Sequence, residues 1–196
     1  LKPSEDLLSL DTVLAELRER RRAVKIDLKG GGDLIDRVLE LVSGHGFDDA
    51  HLWFNGGIQN LREEGFRRLA AACPKAIVQC PVDFLAPLIL AMPEKAHDVL
   101  DTLRDWSINR FSLSWQPIDL KGADQREVFD RLDHWGYDIN IYNVDDLEAF
   151  LHAVLLLPRS VTADYNFPRW HHYGRGSGRG GQEIDYQMRR RASQHT

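Results

Sequence analysis

Asp27 and Lys29 are the residues of this 196-residue sequence whose types and spacing best suit chemistry. Alternate residues of a β-strand point to the same side, so a strand over residues 23–28 places Lys25, Asp27 and Lys29 together. Carboxylate oxygens suit a hard cation, and a lysine ammonium suits a phosphate oxygen. The sequence therefore predicts a metal ligand beside a phosphate-binding amine. A structural Asp–Lys pair is the alternative, because charges inside a fold are costly unless they are paired.

The pattern around this pair is one of short apolar runs that alternate with helical periods, which is typical of βα units and a parallel sheet. Strands are predicted over residues 23–28, 51–54, 76–79, 110–114, 138–142 and 160–164. Ser9 is predicted to open the first helix, and Asp33 to cap the second helix, which ends at Ser43-Gly44. Further helices are predicted over residues 61–72, 83–90, 95–106, 124–135 and 145–156.

These units predict an α/β protein with a (β/α)8 barrel fold, of which about six βα units are present. An open doubly wound sheet is the alternative. Polar residues near the carboxyl ends of the strands favour the shared mouth of a barrel, and no Gly-x-Gly-x-x-Gly motif follows any strand. We expect a barrel domain over residues 1–175. Residues 176–196 are Gly-rich, Arg-rich and polar, so a flexible tail is predicted there.

The mouth of such a barrel gathers the residues at the carboxyl ends of its strands. Asn55, Trp115, Gln116 and Tyr142 are predicted to bind a substrate there, although core packing explains the two aromatic residues equally well. Other polar side chains expected at the mouth are Gln79, Ser112, Ser114, Asn140, Asn143, Thr162 and Asp164.

The composition limits the kinds of partner and the cellular compartment that we expect for this protein. The net charge is −5, so no strong basic field exists and nucleic acid is not expected as a partner. No apolar run reaches the roughly 18 residues of a membrane helix. Two cysteines are too few for a disulfide framework, which favours a reducing, cytoplasmic location. The sequence starts at Leu1, and we expect the native N-terminus to lie upstream.

Several short motifs resemble the glycerophosphodiester phosphodiesterase family of phospholipase-C-like barrels. The stretches Leu10–Leu14 and Val24–Lys29 resemble its "TLEEVL" helix and "IEIK" strand. Two later stretches, Gly136–Asp146 and Thr162–Pro168, resemble its "G-x-x-V-x-x-W-T-V-N-D" and "TD-x-P" segments. The menorin-like branch is similar in its "LDFK", "LWLN" and "FSLTLWQ" motifs, which here read Ile26–Lys29, Leu52–Asn55 and Phe111–Gln116.

The resemblance implies a metal-dependent hydrolase of a small glycerophosphodiester or lysophospholipid-like substrate. It implies Asp27 as a ligand of Mg²⁺ or Ca²⁺, Lys29 as the catalytic phosphate contact, and Tyr142 in the pocket wall. The family's histidine pair and first acidic ligands do not occur in this sequence, so the six strands are interpreted as units three to eight. Hydrolysis is then expected only if an upstream part supplies those motifs.

Two other functions remain open at this point. The barrel could be a non-catalytic, menorin-like binding or structural module, because one barrel fold hosts many functions. It could also be another phosphate-binding barrel enzyme, in which a Lys29 of lowered pKa forms a Schiff base with a carbonyl substrate.

Overall fold

A computed structural model describes residues 8–115 and 122–163, without the side chains of residues 122 and 123. Its sheet has six parallel strands in the order in which they follow one another along the chain. Each strand pairs in parallel with the next. The strands are β1 Val24–Leu28, β2 Leu52–Gly56, β3 Ile77–Pro81, β4 Arg110–Ser114, β5 Ile139–Val144 and β6 Ser160–Ala163.

Helices precede β1 and connect the strands. They are α1 Leu10–Glu19, α2 Asp33–Gly44, α3 Ile58–Ala72, α4 Ala86–Ala91, α5 Pro93–Asp105, α6 Gly122–His134 and α7 Leu147–Leu155. Short 3₁₀ turns over Asp49–His51 and Asp83–Leu85 stand before β2 and after β3. The six predicted strands and the helices between them are therefore present, with ends displaced by a few residues at most strands and helices.

The strand order separates the two candidate folds. A doubly wound sheet reverses its strand order at a switch point, whereas this sheet runs without reversal from β1 to β6. A flat sheet would hold β1 and β6 roughly 24 Å apart, at about 4.8 Å per strand. Instead, Lys25 Nζ on β1 donates to Thr162 Oγ1 on β6 at 3.0 Å. The sheet is therefore curled into a (β/α)8-type barrel, as predicted, and the doubly wound alternative is wrong.

The two faces of the curled sheet differ in polarity. Val24, Ile26 and Leu28 of β1 are buried, whereas Lys25 and Asp27 between them are exposed. This confirms the predicted sidedness of the first strand. The outward residues of the strands pack with the helices in a single apolar cluster, which includes Leu14, Ile35, Phe54, Phe66, Leu100 and Leu132. The main core thus lies outside the barrel wall, and the inner face is left to polar side chains.

Two local predictions are corrected. Asp33 does not cap α2, because Gly32 holds the capping position with a φ of 58°, a conformation that favours glycine. The helix expected to begin at Leu61 begins at Ile58, and it is broken at Arg62, whose φ is 53°.

The predicted tail over residues 176–196 and its boundary at 175/176 lie outside the described residues. Among the described helices, none is both long enough and apolar enough to span a membrane.

The loop after β1 is packed against the start of α3. A Cβ atom added at Gly31 would lie 2.7 Å from the backbone oxygen of Asn60. We therefore expect Gly31→Ala to lower the free energy of unfolding by about 1–3 kcal/mol, measured by urea denaturation.

Gly44, at the end of α2, is the matched control, since a Cβ there meets nothing within 4 Å. Gly44→Ala should leave the stability unchanged or raise it by up to about 1 kcal/mol. Equal effects of the two substitutions would contradict the close packing at Gly31.

Candidate functional site

The carboxyl ends of β1, β2 and β3 carry a chain of hydrogen-bonded polar side chains. Lys29 Nζ lies 2.6 Å from Asp27 Oδ2, and Asn55 Nδ2 donates to Asp27 Oδ1 at 2.8 Å. Gln79 Nε2 in turn donates to Asn55 Oδ1 at 2.8 Å. The sheet register places Asp27 beside Asn55 and Asn55 beside Gln79. The structure therefore brings together three of the predicted site residues, namely Asp27, Lys29 and Asn55.

A second group of polar residues joins the turn after β3 to the ends of β4 and β5. Asp83 accepts hydrogen bonds from Ser114 N at 2.5 Å and from the Tyr142 hydroxyl at 2.8 Å. Asn143 has a φ of 57°, and its Nδ2 donates to Ser114 Oγ at 3.0 Å. Burial raises the pKa of Tyr142, and the bond to Asp83 and the charge of Asp27 raise it further. Tyr142 is therefore a neutral hydrogen-bond donor at ordinary pH.

Trp115 lies apart from Asp27 and Lys29. It follows Ser114, whose side chain belongs to the mouth, so its own side chain points the other way. It lines a partly open pocket together with Asp83, Ser114, outward residues of β4 and β5 and apolar residues of α6, including Leu113, Ile141, Val128 and Phe129. Its backbone is fixed by Tyr142 O at 2.7 Å and by Gln125 Nε2 at 2.7 Å. Gln116 lies outside the described residues.

The interior below the mouth holds two cations around one aromatic ring. Lys25 Nζ lies 4.4 Å and the Arg110 guanidinium carbon 5.2 Å from the centroid of the Trp53 ring. Such contacts attract a cation to the ring face. Burial lowers the pKa of Arg110, and the neighbouring carboxylate of Asp138 opposes this shift.

The neighbouring thiol is not a nucleophile. Cys80 lies between Gln79 and Pro81 on β3 and is fully buried. Burial raises the pKa of Cys80 to about 12, so the sulfur stays protonated near neutral pH, and a thiol is a poor nucleophile.

The carboxylates of the mouth are bonded to neighbouring side chains and backbone. Both oxygens of Asp27 already have partners, Asn55 and Lys29. Both oxygens of Asp83 are bound by Ser114 and Tyr142. Within residues 8–115 and 122–163, no group of three His, Cys, Asp or Glu side chains could hold a metal ion. These residues alone supply at most part of the set of oxygen ligands that a divalent cation takes.

Two residues of this region were missed by sequence reasoning. Asp83 was assigned to the start of a helix, although its place just after a strand could have identified it, had β3 been extended to Pro81. Gln125 comes from α6, and no signal in the sequence points from that helix to the backbone of Trp115.

The fold and the polar mouth define a curled, parallel α/β barrel with an anion-compatible rim. No protein-family model matches the sequence, and no curated protein matches it significantly. Among solved structures, the chain is similar to BlrP1 of Klebsiella pneumoniae in its manganese and cyclic di-GMP complex at pH 6. That similarity has a TM-score of 0.51 and 11% sequence identity, and it covers 79% of this chain and 41% of BlrP1.

Two further solved structures are similar to this chain to about the same degree. The calcium and cyclic di-GMP complex of BlrP1 at pH 8.0 matches with a TM-score of 0.52 and 11% identity, again over 79% of this chain and 41% of that one. The EAL domain of Mycobacterium smegmatis DcpA matches with a TM-score of 0.50 and 14% identity, over 77% of this chain and 73% of that domain. The chain thus spans less than half of BlrP1, and the likeness at this identity shows a shared fold.

The resemblance to glycerophosphodiester phosphodiesterases is therefore wrong, and so is the hydrolase function it implied. The similar structures are a cyclic di-GMP complex and an EAL domain, not members of that family. The physical reason is that the matching motifs are strand ends and turns only a few residues long. Any parallel barrel needs such apolar–polar alternation at its strand ends, so these motifs indicate the fold better than the family.

The Asp83–Tyr142 bond can be tested by a double-mutant cycle. Tyr142→Phe removes one donor from a partly buried carboxylate, so we expect a loss of about 1–2 kcal/mol in the free energy of unfolding. In an Asp83→Ala background the same substitution should cost close to nothing, as measured by chemical denaturation. A similar cost in both backgrounds would mean that Tyr142 contributes by packing rather than through Asp83.

Proposed function

We propose that the mouth of this barrel binds a small phosphodiester ligand of the cyclic dinucleotide class. The observation that carries the proposal is the exposed ammonium of Lys29, held at the rim by Asp27 in a barrel whose structural relatives include a cyclic di-GMP complex. Lys29 is the phosphate contact of this proposal. Asn55 and Tyr142 supply amide and hydroxyl groups to the ligand, with Gln116 as a further contact. Residues 1–175 are the proposed domain.

The rim suits reversible anion binding. The side chain of Lys29 is 78% exposed, and that of Asp27 is 46% exposed. An ion pair this exposed contributes little to stability, so a phosphate can replace Asp27 as the partner of the ammonium at small cost. A charge-assisted hydrogen bond to a phosphate oxygen is stronger than one between neutral groups. Asp27 therefore keeps the amine at the rim until an anion arrives.

Metal dependence is a separate matter. The similar BlrP1 structures contain manganese or calcium together with cyclic di-GMP. The sequence-based assignment of Asp27 as a ligand of Mg²⁺ or Ca²⁺ stays a prediction, because Asp27 would be only one of the several oxygen ligands that such cations take. Binding is accordingly proposed here without a hydrolytic step. The cytoplasmic location likewise stays a prediction.

The binding proposal is tested by titrating the protein with cyclic di-GMP in a calorimeter at low and at moderate salt. We expect Lys29→Ala to weaken the affinity roughly tenfold, as for the loss of one charged hydrogen bond. Added salt should weaken wild-type binding more than it weakens the variant, because the contact is electrostatic.

The matched control is Lys95→Ala, which removes an equally exposed lysine from the first turn of α5. It should bind like wild type. No detectable binding to wild type, or an equal loss in both variants, would refute the proposed function.

The role of Asp27 gives a prediction of opposite sign. In the presence of a chelator, Asp27→Asn should tighten cyclic di-GMP binding roughly fivefold, since a negative charge next to the incoming phosphate is removed. The same titration with manganese tests the metal assignment. If the substitution weakens binding, and does so only when manganese is present, Asp27 is a metal ligand rather than the partner that holds Lys29.

A further inference from the structure

The buried polar side chains of the inner face share an unusual feature. In the part of the chain that the structure describes, they are Gln79, Arg110, Ser112 and Asn140, each at most 9% exposed. Each of the four has one atom without a hydrogen-bond partner, namely Oε1, Nε, Oγ and Nδ2 respectively. Buried polar groups are normally satisfied, because an unmet one costs about 1–3 kcal/mol. A cluster of them indicates that something else occupies the space between them.

The orientation of Gln79 follows from the charge at the end of its hydrogen-bond chain. An ionised carboxylate can only accept hydrogen bonds, so the Asn55 nitrogen must face Asp27. The Asn55 oxygen then faces Gln79 and must receive the Gln79 nitrogen, at 2.8 Å. This leaves Gln79 Oε1 pointing away from the chain as an unmet acceptor. An amide flip, the usual ambiguity at such a residue, is excluded by this direction.

Asn140 is bonded to two hydroxyls that are themselves held by cations. Lysine and arginine can only donate, so Thr162 accepts from Lys25 at 3.0 Å and Ser160 accepts from Arg110 at 3.4 Å. In the structure both hydroxyls donate to Asn140 Oδ1, at 2.8 Å from Ser160 and 3.2 Å from Thr162, and Asn140 Nδ2 has no partner. Asn140 Nδ2 is therefore an unmet donor.

Ser112 lies between these two amides. It is paired with Asn140 in the register of β4 and β5. Arg110, two residues before it and on the same face, is paired with Gln79 on β3. Ser112 and Asn140 are thus direct neighbours on the inner face, and Gln79 lies diagonally from Ser112, one inward position nearer the start of the sheet register. Together they offer one acceptor, one amide donor and one hydroxyl that can turn to donate.

We propose that Gln79, Ser112 and Asn140 form a pocket for one hydroxyl group of the ligand, the ribose 2′-hydroxyl of a cyclic dinucleotide. A hydroxyl donates one hydrogen bond and accepts two, which matches Gln79 Oε1, Asn140 Nδ2 and Ser112 Oγ. A phosphate oxygen has no proton for Gln79, and an ammonium has no lone pair for Asn140. The pocket adjoins the mouth, because Gln79 is bonded to Asn55 and Asn55 to Asp27. This assignment rests on the proposed function.

The pocket would determine specificity between ribose and deoxyribose ligands. A site built to bond a hydroxyl rejects an analogue that lacks it, since its buried groups then stay unpaired. In the free protein a water molecule is the competing occupant, because water also donates and accepts. The two occupants differ in one measurable respect, which is whether affinity depends on the ligand's hydroxyl.

The experiment compares cyclic di-GMP with its bis-2′-deoxy analogue on wild type and on Ser112→Ala. We expect wild type to bind the ribose form at least tenfold more tightly, and Ser112→Ala to reduce this ratio several-fold. Because Ser112 Oγ bonds no other protein group, the substitution should not lower the melting temperature. Ser43→Ala, at an exposed position of α2, is the matched control and should keep the wild-type ratio.

The outcomes separate the two proposals. If wild type binds both nucleotides with equal affinity, the pocket holds water and the hydroxyl assignment is overturned, while the binding function stands. The assignment also fails if Ser112→Ala keeps the full ribose preference. If neither nucleotide binds, the proposed function and the pocket assignment fall together.

Discussion

The charged groups of the inner face impose direction on every polar side chain bonded to them. Asp27 can only accept, whereas Lys25 and Arg110 can only donate, which fixes the direction of the hydrogen bonds made by the side chains next to them. One chain runs from Gln79 through Asn55 to Asp27, and the other converges from Lys25 and Arg110 on Asn140. The atoms that these networks leave without a partner, Gln79 Oε1 and Asn140 Nδ2, are the ones available to a ligand.

This polar interior depends on stabilisation from elsewhere in the molecule. Unmet buried groups oppose folding, and exposed pairs such as Asp27–Lys29 contribute little. The opposing term is the apolar shell between the outer face of the sheet and the helices, where Phe54, Phe66 and Leu132 are completely buried. The barrel thus separates two tasks. Its outer face stabilises the fold, and its inner face is free to carry groups that would be costly in an apolar core.

The apolar outer face of the barrel could be predicted from the sequence better than the polar site on its inner face. Period-two alternation is a local property, so Val24, Ile26 and Leu28 could be assigned to one face and Lys25 and Asp27 to the other. Lys29 could be predicted beside Asp27 because it lies two residues further along the chain. Asn55 could be predicted there because parallel strands end at a common edge. The bond from Asp83 to Tyr142 joins residues far apart in the chain, and no local pattern encodes such a pair. Trp115 is a similar case, since its cavity depends on where α6 packs.

The glycine-rich turns at the rim explain why the mouth can hold a defined shape. A Cβ atom at Gly56 would lie 2.5 Å from Leu61 Cδ1 and 3.2 Å from the backbone oxygen of Leu28, so the end of β2 packs directly against both the end of β1 and the start of α3. Gly31 approaches the backbone of Asn60 just as closely. The turns that carry Lys29 and follow Asn55 therefore brace each other. A rim fixed in this way loses less conformational entropy when a ligand binds, which favours affinity without additional contacts.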